Sequence, residues 1–398
     1  MRRTLLGIVL GSILVVCAGC PPKEPPTQVQ KKTDYGNPLP EGMMALYKLT
    51  NPADFPDFSE GFKHKPSLEA AVQNSIEYMS KKLSEKYYPY LDVTHERALR
   101  SLHAFLDVLR TSKDGQELDQ RIKAQFDIYK SRGGTQDGNY TGRVLFTGYY
   151  CPIFDTRLQP DNEFKYPLYR KPPGIVYNES LGMYQREAGG KFFSREEIDR
   201  GALTGQGLEL CYLRDPFEAY IVTVQGSGKL RKPDGTLLEI GYAGDNGYDY
   251  MSIGQYLVAT NKIKPEELSL DGLIHFFRTH PEELPILEKN PRYVFFTERP
   301  GGPFGCLNVP VTPFYSIAVD KTIFPRASVA FMKNTLPARD ASGAIQKYSY
   351  AGFTLDQDRG NAIRAAGRCD VFLGTGKEVG QLAGRTYDEG ELYYIFVK

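Results

Sequence analysis

The feature that most constrains the fold of this chain is a change in the pattern of apolar residues at about Arg143. From there onward, short runs of Val, Ile, Tyr and Phe are broken by Gly and Pro, of which the 398 residues include 39 and 27. Examples are Val144-Leu145-Phe146, residues 219–224 and Tyr293-Val294-Phe295-Phe296. Short apolar runs between turn residues are typical of β-strands. The sequence therefore predicts barrel-like β structure over most of the chain.

The region before this change has a helical period instead. Apolar residues recur there at spacings of three and four, which is the pattern of one helix face. The three groups are Leu68, Ala71, Val72, Ile76, Met79 and Leu83; Leu99, Leu102, Leu106 and Leu109 after a Thr94 cap; and Leu118, Ile122, Phe126 and Tyr129 before a stop at Gly133-Gly134. We expect these to be packing helices, with short helices returning near residues 251–259 and 270–278.

The first twenty residues have the pattern of a secretory signal. Arg2-Arg3 form a charged region, residues 5–16 an apolar core that is too short to span a bilayer, and Ala18-Gly19-Cys20 a small-residue cleavage site. This ending predicts a lipoprotein whose lipidated first residue is Cys20; the alternative is an ordinary cleaved signal. No Asp follows Cys20, which favours the outer membrane of a Gram-negative cell and a protein that faces the periplasm.

Residues 21–40 are predicted to be a tether. They are rich in Pro, Lys, Gln and Thr and poor in apolar residues, so they cannot bury enough surface to offset the entropy of ordering. At about 3 Å per residue in a polyproline II conformation, the segment would reach roughly 60 Å. That reach suits an enzyme held on one membrane and acting on a nearby wall.

Charge and ligand patterns argue against several function classes. Lys and Arg number 49 against 48 Asp and Glu, so the chain has no basic field for nucleic acid. The five His lie outside every motif, and no His-Glu-x-x-His sequence or pair of Cys-x-x-Cys sequences occurs, so we expect no metal and no cofactor. Four cysteines follow the signal, namely Cys151, Cys211, Cys306 and Cys369. The sequence leaves open whether they form disulfides or stay as free thiols.

Several motifs follow one another between about residue 140 and the C-terminus. They are Phe146-Thr147-Gly148-Tyr149-Tyr150, Val224-Gln225-Gly226-Ser227-Gly228, Gly241-Tyr242-Ala243-Gly244-Asp245-Asn246-Gly247, Ser316-Ile317-Ala318-Val319-Asp320, Asp358-Arg359-Gly360-Asn361-Ala362-Ile363-Arg364-Ala365, and Asp370 with Phe372-Leu373-Gly374-Thr375-Gly376. In this order they resemble the motifs of the membrane-bound lytic murein transglycosylase A family, whose members cut the glycan strands of peptidoglycan.

The resemblance implies a mainly β fold with N-terminal helices. The family has a double-psi β-barrel domain, whose C-terminal part is the 3D domain, and a second, smaller β-barrel domain inserted into it, with a groove between the two. Mapped onto this chain, residues 41–150 would hold the helices and the first part of the barrel. Residues 151–289 would form the inserted domain, and residues 290–398 the second part of the barrel.

The resemblance also assigns the chemistry to carboxyl groups. In a lytic transglycosylase the C6 hydroxyl of N-acetylmuramic acid attacks C1 of the same sugar, which breaks the β-1,4 bond to N-acetylglucosamine and leaves a 1,6-anhydro product. One carboxyl can then act as acid and base, and by resemblance it belongs to Asp370. A carboxyl in this role needs burial or a neighbouring carboxylate to raise its pKa. Asp358 and Asp320 are the expected neighbours; alternatively, each of them caps a turn.

Five further residues are predicted to bind the glycan. By resemblance Thr147 lies at the crossing between the two domains, beside the groove. Gln225 and Ser227 stand among glycines that let a ligand approach closely, so their side chains could bind sugar hydroxyl or acetamido groups; alternatively, they satisfy the backbone of a turn. Tyr149 and Tyr150 could stack on sugar rings or fill one end of the barrel.

Some positions depart from the family pattern. Arg359, Asn361, Arg364 and Ala365 stand where the family usually has Thr, Gly or Ser, Lys and Gly, and Cys151 where it often has an acidic residue. Arg in place of Lys keeps the charge and changes its shape. The departures concern cleavage and glycan preference more than the fold.

Three functional hypotheses follow. The first is a peptidoglycan lytic transglycosylase; the second is a peptidoglycan hydrolase in which Asp358 or Asp320 positions water. The third is a non-catalytic wall-binding lipoprotein. The retention of Asp370 argues against this hypothesis. The expected partners are glycan strands and, through the lipid anchor, a membrane. Association with other cell-wall enzymes stays open.

Overall fold

A computed structural model of the protein describes residues 32–398 except 64, 179, 182, 265, 266, 269, 361 and 362. The predicted signal, Cys20 and most of the predicted tether lie outside the described residues, as do Asn361 and Ala362 of the C-terminal motif. The chain from Thr33 to Lys398 forms one compact unit. In the described residues no helix is long and apolar enough to cross a membrane.

The helices begin and end where local capping signals stand. The Thr94 side chain accepts a hydrogen bond of 3.1 Å from the backbone N of Arg97, as predicted, which satisfies a donor of the first turn of α2. The helices of the described residues are α1 (Lys65–Met79), α2 (His95–Thr111), α3 (Gly115–Gln125), α4 (Arg195–Glu197), α5 (Pro216–Gln225), α6 (Ile253–Ala259), α7 (Leu270–Thr279) and α8 (Lys377–Arg385).

The strands dominate the chain after α3. They are β1 (Leu46–Lys48), β2 (Phe126–Ser131), β3 (Thr135–Gln136), β4 (Asn139–Tyr140), β5 (Val144–Cys151), β6 (Ile153–Asp155), β7 (Tyr166–Tyr169), β8 (Ile175–Asn178), β9 (Met183–Arg186), β10 (Glu209–Leu213), β11 (Ser227–Arg231), β12 (Leu237–Asp245), β13 (Val294–Glu298), β14 (Ser316–Ala318), β15 (Val329–Arg339), β16 (Ile345–Asp358), β17 (Arg368–Thr375) and β18 (Tyr387–Val397).

Six of these strands close into a barrel. The ring runs β5-β17-β14-β16-β15-β18 and returns to β5 because β18 pairs with both β15 and β5. The pairs β5–β17 and β14–β16 are parallel, and the other four are antiparallel. The mainly β class with a barrel, predicted from the sequence, is confirmed.

Aromatic side chains join the N-terminal helices to this barrel. Phe105 of α2 lies 4.7 Å, between ring centroids, from Phe353 of β16, and Phe353 lies 4.9 Å from Phe331 of β15. All three rings are fully buried. Burying a side chain of this size stabilises a fold by about 1.5–3 kcal/mol, so this cluster anchors the helices.

An inserted β domain interrupts the barrel between β5 and β14. Its four-stranded sheet has the order β13-β12-β11-β6, β7 pairs with β10, and β8 and β9 form a hairpin. Two apolar clusters of its own lie beneath these strands. Because β13 pairs with β12 through residues Val294–Glu298, the sheet continues past residue 289, where the sequence places the end of the insertion.

The strand predicted for residues 219–224 is wrong, since this segment lies in α5. The Asp215 side chain caps the helix by accepting a 2.7 Å hydrogen bond from Phe217 N, and Gly226 ends it at φ 76°. Tyr220, Ile221 and Val222 are all buried. A short helix that is buried around most of its surface has no polar face. Its run of apolar residues therefore has the same sequence pattern as a buried strand.

The third predicted helix ends earlier than its apolar period. α3 stops at Gln125, and Phe126 and Tyr129 lie in β2, where Tyr129 pairs with Tyr394 of β18. Pairing with a distant strand overrides the local period. The first period also ends early, because Leu83 lies beyond α1 and is exposed.

The described end of the predicted tether is held against the barrel domain. Asp34 forms a β-bridge with Thr135, with a 2.8 Å hydrogen bond in each direction, and the Tyr35 side chain is buried. A strand-like pairing and one buried aromatic side chain therefore hold Asp34 and Tyr35.

Candidate active site

Four neighbouring barrel strands bring the C-terminal motifs together. Thr147 of β5 pairs with Asp370 of β17. Ala318 of β14 pairs with Asp370 on one side and with Asp358 of β16 on the other. The two aspartates are thus separated by one strand, although the sequence shows only that they are twelve residues apart.

Asp370 is held by one carboxylate oxygen. Thr147 Oγ1 donates a hydrogen bond to its Oδ1, and Arg368 Nη2 lies 3.4 Å from the same atom. Oδ2 has no hydrogen-bond partner among the described residues. A Cβ atom at Gly360 would lie 3.4 Å from Oδ2, so glycine leaves this oxygen uncrowded. With 22% of its side chain exposed, Asp370 can reach a ligand.

Asp358 is satisfied on both oxygens. Its Oδ1 accepts hydrogen bonds from Cys306 N at 2.9 Å and Arg359 N at 2.8 Å, and its Oδ2 accepts one from the Tyr149 hydroxyl at 2.9 Å. Burial raises the pKa of Asp358, and these donors oppose the shift. Among the described residues, Asp358 therefore has hydrogen-bond donors on both oxygens, while Asp370 keeps Oδ2 without a partner.

Asp320 caps a turn just after β14. Its buried carboxylate accepts hydrogen bonds from Thr322 N at 3.0 Å and from the Thr322 hydroxyl at 2.6 Å. No hydrogen bond joins it to Asp358 or Asp370 in the described part of the chain. The geometry is that of a turn cap, the alternative that the sequence left open.

Sequence reasoning missed a buried ion pair beneath these residues. Lys321 Nζ contacts Asp356 Oδ1, and both side chains are almost fully inaccessible. The Tyr394 hydroxyl donates a 2.9 Å hydrogen bond to Asp356 Oδ2. Asp358 lies within electrostatic range of Lys321. A Lys directly after Asp320 and an Asp two residues before Asp358 were the available signals, but neither indicates burial.

The two predicted tyrosines have different surroundings. Tyr149 reaches Asp358 and packs on Phe372 at 5.2 Å between ring centroids. Burial raises its pKa well above the ordinary value, and the Asp358 and Asp370 charges add to this shift, so the hydroxyl remains a donor. Tyr150 is only 4% exposed and packs against Gly380 of α8. It fills the barrel end and is not placed to stack on a sugar, because α8 covers it.

Gln225 and Ser227 stand at the junction of the two domains. Gln225 Oε1 accepts a 3.2 Å hydrogen bond from Tyr150 N, which ties the end of α5 to β5. The Ser227 side chain lies beside the Cys151 thiol. Gln225 thus satisfies a backbone N–H group, which is the alternative to glycan binding given above. Both side chains remain partly accessible.

The four cysteines that follow the predicted signal are all free.

The inserted domain presents a row of tyrosines next to the Gly241–Gly247 motif. Tyr177 and Tyr184 of the β8–β9 hairpin lie 5.2 Å apart, and Tyr184 lies 6.0 Å from Tyr242, between ring centroids. A Cβ atom at Gly247 would lie 2.3 Å from Tyr184 O, so only glycine permits this approach. The motif glycines thereby let the hairpin pack closely.

A cavity of about 570 Å³ lies elsewhere, inside the inserted domain. Arg195, Asp199, Tyr220 and Glu288 are among the residues that line it, and no predicted site residue does. The Asp370 carboxyl is partly buried and lies outside this cavity. In the described residues, no group of His, Cys, Asp and Glu side chains could hold a metal ion.

Comparisons with known proteins support the order of motifs. The profile of the MltA specific insert domain matches residues 145–297, and that of the 3D domain matches residues 315–396. The membrane-bound lytic murein transglycosylase A of Vibrio cholerae is 28% identical over 99% of this chain and 95% of its own length. The membrane-bound lytic murein transglycosylase A homolog of Buchnera aphidicola is 30% identical over 72% of this chain and 74% of its own. The crystal structure of E. coli MltA with bound chitohexaose has a TM-score of 0.67 at 27% identity, covering 92% of this chain and 97% of that one.

Proposed function

The chain belongs to the membrane-bound lytic murein transglycosylase A family, and we propose that it performs the cleavage of peptidoglycan with Asp370 as its single acid and base. Lytic transglycosylase activity on peptidoglycan is the activity for which its relatives are named. The proposal adds the residue and the product, a glycan ending in 1,6-anhydro-N-acetylmuramic acid.

The observation that carries the proposal is the contrast between two carboxyl groups. Asp358 has three donors on its oxygens. Asp370 keeps Oδ2 beside Gly360 and without a partner among the described residues. A general acid must reach the proton it transfers within hydrogen-bond distance. Of the two, Asp370 meets this requirement.

The proposed reaction needs no water. The Asp370 carboxyl gives its proton to the glycosidic oxygen as the bond from C1 to that oxygen breaks. The C6 hydroxyl oxygen of the same muramoyl residue bonds to C1, and its proton passes to the Asp370 carboxylate. One C–O bond breaks, one forms, and the acid is regenerated. An attack within one sugar gains from proximity because both reacting atoms are already held together.

Neighbouring residues would position the acid. Thr147 fixes Asp370 Oδ1, and the Arg368 guanidinium stabilises the carboxylate that forms once the proton has left. Asp358 orients the Tyr149 hydroxyl at the same end of the barrel. Thr147, Tyr149, Gln225 and Ser227 are the proposed contacts of the glycan, by analogy with the relative that binds chitohexaose.

We also propose how the protein is attached to the cell envelope. The relatives are named membrane-bound, and they come from Gram-negative bacteria. In this chain, acylated Cys20 would supply the anchor in the outer membrane, on its periplasmic side, and residues 21–33 would be the spacer.

Product analysis in labelled water tests the proposed reaction. Purified sacculi are digested in water enriched in oxygen-18, and the muropeptides are examined by mass spectrometry. Products that end in the anhydro sugar and carry no label at that end are expected. Label at reducing ends would instead assign the chain to the hydrolases, in which Asp358 or Asp320 positions water.

A further inference from the structure

Arg359 is a cation at the edge of the proposed acid site. It lies between Asp358, to which its backbone N donates at 2.8 Å, and Gly360, which adjoins Asp370 Oδ2. Its side chain is partly buried. The backbone of Arg359 therefore lies close to the proposed acid.

The Arg359 guanidinium has no carboxylate partner within salt-bridge distance in the described part of the chain. Some other basic side chains that are buried or partly buried do have one. Arg292 lies 2.6 Å from Asp245, and Lys130 lies 2.6 Å from Glu391. Removing a guanidinium from water without a counter-ion is costly. A carboxylate on a ligand would supply the missing partner.

The Arg359 side chain lies beside the inserted domain. Tyr177 and Tyr242 are among the groups near it, and the Tyr242 hydroxyl is hydrogen-bonded to Asp245, whose carboxylate also pairs with Arg292. Both phenols are part of the tyrosine row on the inserted domain. Arg359 thus projects from the barrel towards the inserted domain, on the side where a glycan between the two would pass.

Peptidoglycan carries the matching charge on one of its two sugars. The muramoyl residue bears a lactyl ether on C3 that ends in a carboxyl group, whereas N-acetylglucosamine has no charged group. In strands stripped of peptide the lactyl carboxylate is free; in peptide-bearing strands it is amidated, and the peptide supplies carboxylates instead. The same muramoyl residue must lie at Asp370, because its own C1 and C6 react.

We propose that Arg359 binds a carboxylate carried by the muramoyl residue that Asp370 cleaves, and so makes the enzyme prefer muramoyl glycans to uncharged ones. A guanidinium suits this role because its planar fork can donate two parallel hydrogen bonds to one carboxylate. The inference rests on the proposed function, in that it needs the muramoyl residue beside Asp370.

Binding, measured without cleavage, tests this role. The Asp370→Asn enzyme is titrated by calorimetry with a muramoyl tetrasaccharide whose lactyl carboxylates are free, and with the same glycan converted to methyl amides. Hydrogen bonds to charged groups suggest that Arg359→Gln lowers the ratio of the two affinities by roughly tenfold or more. Arg359→Lys, which keeps the charge and loses the fork, should give a smaller reduction. Arg110→Gln, on the surface of α2, removes the same charge elsewhere and should leave the ratio unchanged.

The outcomes separate the sources of the carboxylate. A lower ratio with the stripped glycan assigns Arg359 to the lactyl group. A third titration uses peptide-bearing strands, and a loss seen only there assigns Arg359 to the stem peptide. Equal weakening for the carboxylate and the amide would overturn the proposal, and if Arg359→Gln does not fold, Arg359→Lys carries the same comparison. An Asp370→Asn enzyme that still cuts glycan would overturn the proposed acid, which is a different result.

Discussion

Replacing Asp370 with Asn should remove nearly all turnover and leave the fold almost as stable as before. Positioned acid-base catalysis is worth roughly 10²- to 10⁴-fold, or about 3–5 kcal/mol of activation free energy. The structural loss is much smaller, because Thr147 Oγ1 can still donate to the amide oxygen of Asn. What disappears is the ion pair with Arg368, at 3.4 Å between side chains that are 23% and 22% exposed. Such a pair contributes about 0–1 kcal/mol.

The assay compares two rates and two unfolding curves. Release of muropeptides from sacculi gives the rate, and urea unfolding of the same preparations gives the free energy of unfolding. Asp388→Asn is a matched control, since this side chain is 24% exposed and lies 2.6 Å from Lys347. It should keep the wild-type rate. If Asp370→Asn retains more than about a tenth of that rate, far above the loss expected for acid-base catalysis, the assignment is refuted and Asp358 becomes the next candidate.

Three further predictions concern the support of the site and the anchor. Lys321→Met leaves Asp356 buried without its ion-pair partner and should lower the free energy of unfolding in urea by about 3–5 kcal/mol. A double variant that adds Asp356→Leu should recover most of this loss. No recovery would contradict the pairing. Burial raises the pKa of Asp358 above 3.8, so between pH 3.8 and the raised pKa the folded state holds a proton that the unfolded state has lost. The free energy of unfolding contributed by this group therefore falls as pH rises through the raised pKa. Asp358→Asn should flatten that part of the stability-pH curve, and an unchanged slope would rule out this group as its source. Finally, the wild type should partition into detergent and fractionate with membranes, and Cys20→Ala should release it or leave it unprocessed; a fully soluble wild type would refute the anchor.

Much of the architecture could be predicted because its signals are local. Thr94 starts a helix through a hydrogen bond to a residue three positions away, which a short sequence window contains. The early apolar periods and the later runs between Gly and Pro likewise indicate helices and then a barrel. The order of the motifs identified the family, and the carboxyl residues for its chemistry could be named by resemblance.

The errors occurred where a distant partner decides the outcome. Residues 219–224 are apolar on every side, so a buried helix and a buried strand have the same composition. Tyr129 continues a helical period but pairs with Tyr394, which lies far along the chain. For Tyr149 and Tyr150 the sequence left stacking on a sugar and filling the barrel end both open; adjacent residues of a strand point to opposite sides, and Tyr150 packs against Gly380 of α8.

What the sequence by itself determined was which chemical groups are present and which short segments start helices, turns and strands. Only the tertiary structure decided how those groups face one another. β14 sets Asp358 and Asp370 on its two sides, and barrel closure buries Lys321 against Asp356. The same closure leaves Asp370 at the surface. The physical reason is that burial and charge pairing depend on strands that meet only after the chain has closed, and no local window of sequence contains both members of such a pair.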